Sequence, residues 1–181
     1  MDMALVNTTA AREHVAEIER EIRTIKEGAR TTVSTLTKIG VRFLPKQVII
    51  HVVYFSVFWT NVPPATNGIS DIWSPREIVL GLTVDYNLHC KEVFGAYVHG
   101  HNDFDVTNDM RPRTFAGIFF GTTGNLQGTV KVWDLNTGCV KKPKTFTSVP
   151  MPEHVVDQIN NCLLNTTDAA DHRVSEDLGG R

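Results

Sequence analysis

The chain has 181 residues, enough for one domain with appendages or two small units, and its 41% hydrophobic and 21% charged residues allow a buried core. A net charge of −2 excludes an overall basic field of the kind that holds nucleic acid along a whole protein. Three widely spaced cysteines, Cys90, Cys139 and Cys162, argue against a disulfide framework and for a reducing, intracellular setting, cytoplasm or nucleus. The N-terminus lacks the basic and apolar regions of a signal peptide. The longest apolar run, Val48 to Trp59, is about half of what a bilayer span needs, so no membrane association is expected.

In chain order, residues 4–9 are compatible with a short strand, and residues 10 to 38 read as a helix. Val15, Ile18, Ile22, Ile25 and Ala29 fall at spacings of three and four, which places them on one face of it. Charges fill the other faces, with pairs such as Glu19 and Arg23 at i,i+4. Gly28 and the threonines after it weaken helix preference. Pro45 suits a first helical position. The run from Val48 to Trp59 fits a buried strand by its β-branched and aromatic content and a helix by its length; pattern alone leaves both open. Residues 61–72 read as loop. Ser74-Pro75-Arg76-Glu77 then forms a capping box opening a short helix.

From Glu92 the pattern turns β-like. Val93–Val98, Thr114–Gly121, Gly128–Asp134 and Cys139–Thr147 are apolar or alternating runs, bounded by turn residues at 100–105, 122–125 and 136–138. Short strands with tight turns predict a small barrel or sandwich. Residues 153–164 read as a short amphipathic helix, and the polar tail 166–181 as disordered.

Chemistry-bearing residues are sparse. Lys131, Lys141, Lys142 and Lys144 make the β region locally basic, which suits phosphate contact by charge neutralisation as well as a solvated face. His99, His101, Asp103 and Asp105 suggest a metal only weakly, because no further ligand follows at a matching spacing; a turn is the plainer reading. His89-Cys90 has no third partner for nucleophilic catalysis. Phe55, Phe58, Trp59 and Trp133 read as core rather than as a stacking platform.

Five segments carry a resemblance. Glu19-Arg20-Glu21-Ile22-Arg23-Thr24-Ile25-Lys26-Glu27-Gly28-Ala29-Arg30 is similar to the helix bearing the third catalytic carboxylate of Copia-type retrotransposon integrases. Trp73-Ser74-Pro75-Arg76-Glu77, Val93 to Val98, Gly117 to Gly121 and Val132 to Gly138 follow in the family's order. The last three resemble the retroviral-polymerase SH3-like domain of those polyproteins. The resemblance implies an α+β chain: residues 1–44 as the C-terminal helix of a truncated integrase core, 45–91 as a helical connector, 92–150 as an SH3-like β-barrel, 151–165 as a short helix and 166–181 as the tail.

It also implies a role in DNA integration. Intact members hold two Mg²⁺ ions between three carboxylates, one activating the attacking oxygen and one stabilising the leaving oxygen. Glu19 would be the third ligand, with Glu17 the alternative alignment, while Arg23 and Lys26 would touch DNA phosphates. Upstream of Glu19 the only aspartate is Asp2, so the expected chain is catalytically incomplete, binds no cofactor by itself and depends on a missing integrase core. Its expected partner is DNA, weakly held. The rival expectation is a small β-barrel that binds another protein. A further expectation concerns the stripe of Val15, Ile18, Ile22 and Ile25, which normally covers a sheet absent from this chain and so should pack poorly here.

Overall fold

A computed structural model describes residues 15–64, 68–102 and 110–161. The readings for residues 4–14, Asp103 and Asp105, Cys162, the end of the last helix and the tail lie outside the described residues. The elements are α1 (Ala16–Lys38), α2 (Lys46–Thr60), α3 (Pro75–Leu80), α4 (Tyr86–His89), β1 (Tyr97–His101), β2 (Thr114–Thr122), β3 (Val130–Asp134), β4 (Val140–Lys141) and β5 (Phe146–Ser148). A last helix, α5, covers described residues 153–161.

Helix α1 continues past Gly28 because its threonines are satisfied locally. The hydroxyls of Thr24, Thr31, Thr32, Thr35 and Thr37 each donate to the carbonyl four residues back. Only the C-terminal half of α1 packs, with Ala29, Val33 and Leu36 in the core. Ile18 and Ile22 stay 58% and 45% exposed, in line with the expected unpartnered stripe.

The run left open between helix and strand is helical. Val48, Val52 and Ser56 are its buried residues, at steps of four, and the Ser56 hydroxyl donates to Val52 O at 3.0 Å. Pro45 stands one position earlier than expected, immediately before the first helical residue. The capping box of α3 is complete: the Ser74 hydroxyl accepts from the Glu77 N–H at 3.1 Å, and the Glu77 carboxylate accepts from the Ser74 N–H at 2.8 Å.

The strands form one antiparallel sheet in the order β4-β3-β2-β1-β5. The chain is therefore mixed helix and sheet, as expected, but among the described residues the sheet is open, since β4 and β5 are unpaired edges. The run Cys139–Thr147 is two strands rather than one. Pro143, which has no N–H to give a ladder, separates them. The run Val93–Val98 enters the ladder only at Tyr97, because Gly95 turns the backbone at φ 87°. Gly100 and His101, expected in a turn, belong to β1.

Alternation along β2 gives the sheet two buried faces. Ile118 and Phe120 face the helices, joining Leu36, Val48, Val52, Trp133, Val155 and Ile159. Phe115 and Phe119 face the other way and pack with Val98, Val130 and Val132. A register shift between Phe119 and Gly121 kinks β2. There Gly121, at φ 110°, lets Phe55 of α2 lie where a Cβ would be. Phe55 and Trp133 are core residues, as expected, whereas Phe58 and Trp59 are half-buried at the rim.

A candidate nucleic-acid interface

Strand pairing sorts the lysines. Residues opposite each other in an antiparallel pair share a face, and neighbours along a strand alternate. Lys141 lies opposite Val132 and therefore belongs to the face away from the helices. Lys131 lies between Val130 and Val132, so it points to the helix side; Lys142 follows the end of β4.

Lys141 is taken up within the fold. Its ammonium lies 2.7 Å from Asp134 Oδ2 and 4.5 Å from the centre of the Phe115 ring. Asp134 is buried and also accepts from Asn136 N–H and the Thr137 hydroxyl, each at 2.9 Å. Burial alone would push this carboxyl up. The hydrogen bonds from Lys141, Asn136 and Thr137, with the Lys141 charge, outweigh it and hold the carboxyl below the usual carboxylate range. Lys141 thus ties the β3–β4 turn to Asp134, a structural role that the sequence reading did not include.

Lys131 is half-buried, 5.9 Å above the Tyr54 ring of α2. Its pKa is lowered by desolvation and by the charge of Lys142. Next to it, His51 stacks on Phe120 with ring centres 4.7 Å apart, and its Nδ1 is buried without a hydrogen-bond partner. Burial, and then Lys131, lower the His51 pKa. Lys142 and Lys144 are exposed. Among the described residues no carboxylate pairs with Lys131, Lys142 or Lys144. The result is a small cationic surface along β3 and the β4–β5 connection, edged by Tyr54.

Tyr54 was not legible as part of a site. It is one of many apolar residues in α2 and lies 77 positions from Lys131 in sequence (131 − 54). Arg23 and Lys26 are exposed on α1, which packs against α2 rather than β3, so they belong to a different surface from the lysines.

Glu19 and Glu17 are exposed on α1. Among the described residues no three His, Cys, Asp or Glu side chains come together to hold a metal ion. His99 is near the Tyr97 hydroxyl at 3.3 Å and His101 near the Thr147 hydroxyl at 3.5 Å. His89 is buried with Nδ1 2.8 Å from Asp85 O and Nε2 2.8 Å from Asn125 O. Each ring nitrogen thus lies within hydrogen-bond distance of a backbone carbonyl, and the N–H of a neutral ring donates to one of the two, setting α4 against the β2–β3 turn. Burial raises the Cys90 thiol pKa, the opposite of what a nucleophile needs. No family model, curated protein or solved structure matches the chain.

Proposed function

We propose that the chain is a piece of a Copia-type integrase polyprotein whose sheet contacts DNA backbone, and that it performs no strand transfer by itself. The observation carrying this reading is the group of cations along β3 and the β4–β5 connection: Lys131, half-buried against Tyr54, with Lys142 and Lys144 exposed. Among the described residues no carboxylate pairs with any of the three, which leaves their charge for a phosphate to neutralise.

The SH3-like reading of residues 92–150 has support of its own. Closing a five-stranded barrel takes five ladders, and the order β4-β3-β2-β1-β5 supplies every one except β4 with β5. The core of Val98, Phe115, Phe119, Val130 and Val132 lies on the side of the sheet away from the helices, where a barrel interior would be. The motif segments Gly117 to Gly121 and Val132 to Gly138 form the middle of β2 and the end of β3 with its turn.

The test is binding to duplex DNA as salt rises. Lys131, Lys142 and Lys144 together predict a slope of log K against log[salt] of about −2.7, at about −0.9 per phosphate neutralised. Between 50 and 200 mM salt this is about a 40-fold loss of affinity. A Lys142→Gln/Lys144→Gln variant should flatten the slope to about −0.9. No binding at low salt refutes the reading.

The rival reading, a protein-interaction module, draws on a different observation: Ile49, Ile50 and Val53 of α2 and Ile78, Val79 and Leu80 of α3 are exposed. Binding to a protein partner that persists in high salt, with no DNA binding, would favour it.

A further inference from the structure

A cleft of about 510 Å³ opens between α2, α3 and the β2–β3 turn. Its floor and walls include Tyr54 and Phe58 from α2, Arg76 and Val79 from α3, and Thr123 and Lys131 from the sheet. Two cations therefore enter one cleft from different elements. The Arg76 guanidinium lies 4.9 Å from the centre of the Phe58 ring and donates from Nη2 to Gly124 O at 2.8 Å. Its Nε is buried with no hydrogen-bond partner, an arrangement that normally calls for an acceptor. Gly124, at φ 72°, makes this approach possible, because a Cβ there would run into Arg76 and Phe58. Lys131 contributes a half-buried ammonium, and the Tyr54 ring beside it is 59% exposed.

We infer that this cleft takes an unpaired nucleotide of a single-stranded nucleic acid, its base stacked on Tyr54 and its phosphate on Lys131 and Arg76. The inference rests on the DNA-contact reading and narrows it. A duplex presents its phosphates on a convex cylinder and keeps its bases stacked inside, so its backbone meets Lys131, Lys142 and Lys144 but it has no base to offer the Tyr54 ring. A single strand can turn a base out against a ring and let the adjoining phosphate follow the cleft inward. The volume is in the range that holds one small molecule. The aromatic and apolar walls supply what a bare cationic face lacks, contact with a flat uncharged ring.

Fluorescence anisotropy of the full chain with a labelled oligothymidylate and with a blunt duplex of the same length tests this. The wild-type chain should bind the single strand about ten-fold more tightly than the duplex, the size of one base–aromatic stack. Tyr54→Leu, which keeps an apolar side chain and removes the ring, should bring that ratio to about one, and Tyr54→Trp should restore it. Lys142→Gln should weaken both ligands together. Equal affinity for the two ligands in the wild-type chain overturns the inference and leaves the duplex-contact reading standing, as does a preference that Tyr54→Leu does not change. Binding of neither ligand overturns both. Binding of a peptide rich in aromatic and acidic residues, with no binding of oligothymidylate, makes the cleft a peptide site and overturns the inference.

Discussion

Lys141→Gln separates the two tasks a lysine can have on this sheet. The substitution removes the ammonium 2.7 Å from Asp134 while leaving the Asn136 and Thr137 hydrogen bonds in place. The Asp134 side chain is 2% exposed and that of Lys141 39%, so the carboxylate is desolvated while water screens part of the pair. Loss of a charged partner at such a site costs about 1–3 kcal/mol. Loss of the cation over the Phe115 ring adds about 0.5–1 kcal/mol. A total of about 1.5–4 kcal/mol lowers Tm by about 3–16 °C for a chain of this size. Thermal melts followed by circular dichroism measure that fall, and the salt dependence of duplex binding measures the other task. The variant should keep the wild-type salt slope, whereas Lys142→Gln should not lower the Tm and should lose about 0.9 from the slope. A Lys141→Gln protein with an unchanged Tm and a flattened slope would refute the assignment.

Acid should destabilise the fold in two stages. His51 has a folded pKa below its usual 6.5, so its contribution is complete above 6.5 and is lost as pH falls through the lower folded value. Urea melts across this range should show the loss in the wild type and a smaller one in His51→Phe. Asp134 behaves the same way lower down: its contribution is complete above the usual 3.8 and disappears as pH falls through its depressed folded value. Asp134→Asn should remove that second stage. On α1, Ile18→Ser and Ile22→Ser should each change stability by less than about 0.5 kcal/mol, whereas Leu36→Ala should cost about 2–5 kcal/mol; equal losses in denaturant titrations would show that the exposed stripe is packed.

Local signals were legible where the physics is local. The Ser74–Glu77 capping box involves residues three apart and its own backbone, and it formed as expected. The turn at Asn136-Thr137-Gly138 closes on Asp134 through bonds spanning two and three residues. The α1 periodicity identified the helix and the exposed stripe together, because an apolar face is written in the spacing whether or not a partner covers it. The ion pair of Lys141 was not legible because sequence shows a charge but not the carboxylate waiting across a hairpin. The strand limits at Gly95 and Pro143 were missed because apolar content marks burial, and buried residues continue past the end of a ladder.

By sequence alone, this protein was committed to a helix from residue 10 to about 38, a capped turn of helix at Ser74, short strands after Glu92 and a locally basic β region. Tertiary structure decided the rest. It made residues 46–60 a helix, since a nearly all-apolar run has no period of its own and takes its form from the surface it covers. It also set Lys131 and Lys141 on opposite faces of the sheet, and brought Tyr54, Arg76 and Lys131 to one cleft, because strand register and helix packing join residues that chain distance keeps apart.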